Sequence, residues 1–209
     1  MAPRITWFGH SSFALTDDRV TVYIDPWKLP PSALQADIIC ITHEHFDHCS
    51  PDDIRLIAKP KTDIVAPSIC ADKFSTEHFH IIAPGQRLEL RGLVIEAVPA
   101  YNTNKKFHPV DAHQVGYIIS IGEQRVYHAG DTDLIPEMQN IKADIAILPI
   151  SGTYVMTAAE AAEAAKRIHP TIVVPMHYGS IVGSNQDVEQ FKQLVPGDIR
   201  VKVFPKTVS

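Results

Sequence analysis

Apolar positions along the chain recur mostly at the two-residue period of strands, in short runs punctuated by polar turns. Residues 5–15 and 20–25 read as paired strands across the polar turn Asp17-Asp18-Arg19, with a bend where Gly9-His10 interrupts the first. Pro26 ends the second, because proline cannot donate to a ladder. Ile38-Ile39-Cys40-Ile41 is a continuous apolar run of the length expected for a buried strand. Ser50-Pro51 then marks a helix start, with Ile54, Leu56 and Ile57 as its apolar face. Residues 62–67 return as a strand and residues 69–74 as a short helix. His78 and His80 alternate with Phe79 and Ile81 on an edge segment with no adjacent carboxylate, where exposure is expected rather than ligation. Residues 88–90 and 93–98 form a hairpin about Arg91-Gly92. A long polar loop, 99–109, leads to a strand at 115–119, and loops of that length are often functional.

The second half repeats this grammar. A strand runs from Gln124 into Gly130, and 144–150 is another buried strand. Thr157 to Glu160 has the spacing of a capping box ahead of an alanine-rich helix ending near Ile168. Residues 171–177 form a buried strand, Val188, Phe191 and Leu194 lie at helical spacing, and 200–204 closes the chain as a strand. The order has an internal echo: 36–41 resembles 143–148, and 62–67 resembles 171–175. Each pair follows a strand that ends in an aspartate, Asp25 or Asp131. Two related halves are expected, each a sheet with helices outside, packed face to face so that strand ends meet at one edge.

Composition narrows the class. A chain of 209 residues with 45% apolar residues can bury one substantial core, as a single larger domain or two fused halves. Three irregularly spaced cysteines make no disulfide framework and suggest a reducing, cytoplasmic compartment. Nothing near the N-terminus has the long apolar stretch of a signal peptide or membrane span. A net charge of -5 without a Lys/Arg run disfavours a general nucleic-acid surface. Self-association between copies is left open. The eleven histidines are the compositional anomaly, and most lie close to motifs.

The densest motif is Thr42-His43-Glu44-His45-Phe46-Asp47-His48, directly after a buried strand. Imidazole is the commonest nitrogen ligand for zinc and similar ions, and alternate residues at a strand end point the same way. His43 and His45 can therefore grip one ion, with Asp47 and His48 beside it, on the same ion or on a second. A polar loop that merely happens to be rich in histidine is the competing reading. Further donors stand at other strand ends or in the long loop: Asp131 after Gly130, His177 at the end of 171–177, and His108 or His113 in the loop. Asp25 is placed to orient a metal-bound imidazole, or is an ordinary turn residue. His10 either faces the site or is a buried, hydrogen-bonded histidine.

With these residues in view, the chain resembles the metallo-β-lactamase superfamily, whose His-x-His-x-Asp-His hallmark is His43-Glu44-His45-Phe46-Asp47-His48. Gly130-Asp131-Thr132 is similar to the family's bridging-aspartate motif and His177 to its last histidine. Gly9-His10-Ser11-Ser12, Asp25-Pro26-Trp27 and Pro175-Met176-His177-Tyr178 look most like the branch of compact metal-dependent hydrolases that includes the ascorbate-phosphate lactonases. The resemblance implies an α/β fold, a four-layer αββα sandwich of two mixed sheets flanked by helices, with 1–209 as one domain. It implies two divalent ions, zinc first and Mn2+, Fe2+ or Ni2+ as alternatives. His43, His45 and His108 would hold one and Asp47, His48 and His177 the other, with Asp131 bridging and Asp47 and Asp131 as catalytic carboxylates. The family has a histidine where this chain has Asn102, so His108, and after it His113, is the expected substitute. Two such ions would lower the pKa of a shared water and supply a hydroxide that cleaves a phosphodiester, lactone or similar small ester. An RNA or DNA nuclease and a non-hydrolytic metal or redox scaffold are the competing functions. A proton donor is unassigned among His10, Tyr154 and Tyr178, and Cys49 is read as structural.

Overall fold

The computed structural model describes residues 2–207 and consists of two mixed sheets packed face to face with helices outside. The first sheet runs in sequence order through β1 (Arg4–Gly9), β2 (Ser12–Thr16), β3 (Thr21–Ile24), β4 (Ile38–Cys40), β5 (Asp63–Ala66) and β6 (Phe79–Ile81). The second runs through β7 (Arg87–Leu90), β8 (Leu93–Pro99), β9 (Val115–Ile121), β10 (Gln124–His128), β11 (Ile145–Pro149), β12 (Ile172–Met176) and β13 (Arg200–Val201). In both, an antiparallel meander gives way to parallel strands: from β3 onward in the first and from β10 onward in the second. The echo in the sequence is therefore a topological one. β3, β4 and β5 are parallel neighbours, as are β10, β11 and β12, and Asp25 and Asp131 follow the first strand of each trio.

The two-residue period decides which core each side chain joins. Phe13, Leu15, Val22, Ile24, Ile38 and Cys40 enter the core between the sheets, while Ala14, Tyr23, Ile39 and Ile41 face the opposite way. There they meet Ile54 and Ile57 of α1 (Pro51–Ile57). On the far side, α2 (Ala158–Ile168) sets Ala161, Ala164 and Ala165 into the main core, and α3 (Asn185–Leu194) adds Val188 and Phe191. The result is the expected αββα sandwich.

Helix ends follow the chemistry of their residues. Ser50 caps α1 with Pro51 in its first turn, and Thr157 and Glu160 form the predicted reciprocal capping box on α2. Ser184 and Asp187 do the same for α3. Among the described residues no helix is long and apolar enough to cross a membrane.

Three local expectations change. The bend at Gly9-His10 is a complete reversal, so that residues 4–9 pair with residues 12–16. Gly9 (φ 108°) and His10 (φ 50°) both take positive φ, and the Trp7 indole N–H donates to the His10 carbonyl at 3.0 Å, closing the turn. The last strand is shorter than 200–204, since pairing ends once Lys202 N–H has donated to the Val173 carbonyl. His78 and His80 are half-buried and do have a carboxylate nearby: His80 Nε2 lies 2.9 Å from Asp63 Oδ1, and Arg91 Nε donates to Asp63 Oδ2 at 2.7 Å.

Candidate metal centre

The sheets are tied together beneath the His43 to His48 segment. Val115 N–H donates to the Thr42 carbonyl at 3.1 Å, and the buried Tyr117 hydroxyl donates to the Ile41 carbonyl at 2.7 Å. Gly130 is required here: at φ 65°, a Cβ would meet the Val115 carbonyl oxygen at 2.9 Å and the Thr42 side chain at 3.2 Å. That close approach carries Asp131 to the segment. His177, also at positive φ (60°), donates its backbone N–H to the His10 carbonyl at 3.0 Å, joining the end of β12 to the β1–β2 turn.

Donor atoms from five chain segments converge at this edge. One ligand atom each from His43, His45 and His108 lie within 4.8 Å of one another, as do those of His43, His48 and Asp131, and those of His10, His48 and His177. Asp131 sits in the middle: its Oδ2 is 3.0 Å from His177 Nε2 and 3.6 Å from His108 Nε2, and its Oδ1 is 3.5 Å from His48 Nε2. Asp47 Oδ2 lies 3.8 Å from His48 Nε2 and 2.9 Å from His10 Nε2. All seven predicted donors thus fall in one cluster. His113 does not: it is exposed and closes a 3-10 turn with φ 51°.

A surrounding set of acceptors fixes how the imidazoles point. A carboxylate only accepts, so Asp25 Oδ2, 2.7 Å from His48 Nδ1, holds the proton on that nitrogen and turns Nε2 toward Asp131. Thr42 Oγ1 gives its proton to Asp25 Oδ2 at 2.7 Å and is left as acceptor for His43 Nδ1 at 2.9 Å. Asn102 Nδ2 donates to the Tyr154 carbonyl, so its Oδ1 accepts from both His108 N–H and His108 Nδ1 at 3.1 Å. Ser151 Oγ meets His177 Nδ1 at 2.9 Å. An outer partner on the second ring nitrogen is what a metal-binding histidine ordinarily has. Both ends of the Asn102 amide are thus taken, Nδ2 by Tyr154 and Oδ1 by His108, and Asn102 orients the His108 ring.

The cluster leaves His48 Nε2, His108 Nε2 and Asp131 Oδ1 buried without a hydrogen-bond partner. Buried polar atoms are nearly always paired, so unpaired ones gathered about the Asp131 carboxylate, His48 on its Oδ1 side and His108 on its Oδ2 side, fit cations bound there. Charge also matches. Burial works against the Asp131 carboxylate, but His177 and His48 outweigh it and hold its pKa well below the ordinary range. Burial also opposes charge on His48, yet Asp131 and Asp25 prevail and raise its pKa well above that of free imidazole. His43 and His108 are pushed down chiefly by burial, and His10 falls to about 4 for the same reason. Asp47 is lowered because the His10 hydrogen bond, with help from His48, outweighs its burial.

A cavity of about 280 Å³ opens onto this cluster. His10 and Tyr154 line it, whereas Tyr178 is buried against Trp7 with ring centroids 5.1 Å apart. Sequence reasoning missed the roles of Thr42, Asn102 and Ser151. It also missed Asp133, which is buried, accepts from Thr103 N–H at 2.8 Å and pairs with Lys105, pinning the loop that carries His108.

A two-sheet sandwich with histidines and aspartates gathered at one strand edge is the architecture of a metal-binding protein of the metallo-β-lactamase fold. The chain belongs to the metallo-β-lactamase superfamily, in its compact branch: residues 4–177 match the family described as beta-lactamase superfamily domain. It is 33% identical over 210 residues to a UPF0173 metal-dependent hydrolase of Methanopyrus kandleri, covering 92% of this chain and 91% of the relative. A solved protein assigned as a metal-dependent hydrolase from Parabacteroides distasonis superposes with a TM-score of 0.87 at 37% identity, over 96% of this chain and 92% of that one. Igni18, a metallo hydrolase from Ignicoccus hospitalis, superposes with a TM-score of 0.79 at 28% identity, covering 99% and 96%.

Proposed function

We propose that the chain is a binuclear hydrolase cleaving a small ester, lactone or phosphodiester. His43, His45 and His108 would hold one ion and Asp47, His48 and His177 the other, with the Asp131 carboxylate facing both sets. The carrying observation is the convergence of the unpaired His48 Nε2, His108 Nε2 and Asp131 Oδ1, which leaves the carboxylate facing both histidine sets. Divalent cations bound there would supply a water of lowered pKa and polarisation of the bond to be cleaved.

The protein's own groups do the rest. Asp131 neutralises part of the charge at the centre, and Asp47 adds a second carboxylate whose orientation His10 fixes through the 2.9 Å contact. Asp25, Thr42, Asn102 and Ser151 orient the rings of His48, His43, His108 and His177, so little reorganisation of these four is needed on binding. No serine or cysteine nucleophile is required. Mixed imidazole and carboxylate donors suit zinc first, with manganese, iron and nickel as alternatives. Three buried free thiols, Cys40, Cys49 and Cys70, fit a reducing, cytoplasmic setting.

The test is metal analysis of protein purified without chelator, with assays of ester, lactone and phosphodiester hydrolysis for the wild type and His43→Ala. Bound divalent metal and turnover, both lost in the variant, are expected. A metal-free protein, or activity undiminished in His43→Ala, contradicts the reading.

A further inference from the structure

The cavity walls are unlike its floor. Ten large apolar side chains are exposed among the described residues, and Phe46, at 68%, is the most exposed of them. Three of the ten, Phe46, Phe107 and Ile181, line this one cavity. They come from separate segments, each close in sequence to a donor: Phe46 between His45 and Asp47, Phe107 next to His108, and Ile181 four residues after His177. Two are braced in place. Phe46 meets the edge of Trp27 with centroids 6.2 Å apart, and Phe107 meets Tyr154 at 4.7 Å. Apolar groups held at the mouth of a concave polar site form a recognition surface.

The charge of the walls points the same way. Among the described residues no lysine or arginine lines the cavity. Lys105, on the loop that carries Phe107, is committed to the buried Asp133. A phosphate ester would have only the bound ions to match its charge, with no side-chain cation beside them, and a nucleic acid no track for its backbone. The volume, about 280 Å³, is at the lower edge of the range of ligand cavities, roughly 300–1,000 Å³.

Resting on the hydrolase reading above, we infer that the substrate is a small neutral carboxylic ester or lactone whose apolar acyl portion seats against Phe46, Phe107 and Ile181. In its hydrolysis the oxygen of water bonds to the acyl carbon, and the acyl C–O bond breaks with its electron pair remaining on the alcohol oxygen. That oxygen takes up a proton derived from the water, so the products are a carboxylic acid and an alcohol.

The experiment uses metal-loaded full-length protein with two readouts. The first is kcat/KM for p-nitrophenyl esters with acyl chains of two to six carbons, beside bis-p-nitrophenyl phosphate. The second is calorimetric affinity for the unbranched carboxylates of the same lengths, which does not depend on turnover. Both are expected to rise about fourfold per methylene until the cavity is filled, the increment for burying one methylene. Phe46→Ala and Phe107→Ala should each reduce that increment to twofold or less, and the phosphodiester should show no measurable turnover. A flat chain-length profile, or a phosphodiester turned over as fast as the esters, overturns the inference while leaving a hydrolase. Affinities that climb without hydrolysis of any ester support the apolar seat and overturn the hydrolase reading instead. Sedimentation of the same proteins covers the remaining occupant: a dimer dissolved by Phe46→Ala with an unchanged methylene increment would make the rim a self-association surface and overturn the proposal.

Discussion

Asp25 touches no substrate cavity, yet substituting it should damage the metal centre. Its carboxylate is fully buried and accepts three bonds: from Thr42 N–H at 2.8 Å, Thr42 Oγ1 at 2.7 Å and His48 Nδ1 at 2.7 Å. Asp25→Asn keeps the shape and replaces one acceptor oxygen by an NH2 group. If the NH2 faces Thr42 N–H, two donors oppose each other. If it faces His48, the imidazole must accept through Nδ1 and carry its proton on Nε2, where the ion should bind. A charge-assisted hydrogen bond contributes about 1.5–3 kcal/mol, and an orphaned buried donor costs about 1–3 kcal/mol. The variant should therefore lose on the order of 3 kcal/mol of stability, or roughly 6–12 °C in Tm for a chain of this size. Metal affinity should fall about 10–100-fold, the effect of removing an outer partner from a ligating histidine. Urea unfolding of the metal-free protein and competitive zinc titration measure the two effects separately. Affinity within twofold of wild type, in a variant measurably less stable, would refute the tautomer argument while leaving Asp25 structural.

Asn102→Ala removes both acceptor contacts to His108 and should weaken zinc binding about 10–100-fold in the same titration, whereas His113→Ala, on an exposed residue, should leave it unchanged. Because Asp131 and Asp25, against the opposing effect of burial, raise the pKa of His48 well above that of free imidazole, metal loading must compete with a proton held on its ring. Calorimetry in buffers of different ionisation enthalpy should report about one proton or more released, and apparent affinity should fall as the pH is lowered; release of none contradicts the account. Away from the centre, burial raises Asp63, but the His80 and Arg91 contacts outweigh it and lower its pKa from 3.8. A depressed folded pKa stabilises above the unfolded value and is lost as pH falls through the folded one. The stability gap between wild type and Asp63→Asn should thus be full at pH 6 and close in acid below about pH 4; a gap that persists at pH 2 would refute it.

Much of the fold and of the donor set was legible because each rests on local pattern. Alternation marked 5–15 as strand, and such a strand sends Leu15 and Ala14 to opposite faces, while the Ala36–Ile41 and Ala143–Leu148 echo forecast two related sheets. Strand ends carrying His43, Asp131 and His177 could be read as converging before any coordinates. The roles that escaped depend on approach across the chain. Asn102 is written as a polar loop residue, and only the Tyr154 carbonyl, 52 residues away, turns its amide toward His108. Ser151 reaches His177 across 26 residues, and Asp63 reaches Arg91 across 28. The reversal at Gly9-His10 was visible as a glycine, but its tightness comes from the Trp7 indole and from the end of β12.

Two ions held on either side of Asp131 is the central claim, and anomalous diffraction from zinc-loaded crystals tests it most directly. Two peaks roughly 3.5–4 Å apart are expected, one against His43, His45 and His108 and the other against Asp47, His48 and His177, with Asp131 touching both. A single peak at full zinc loading, or none at this cluster, would contradict the account.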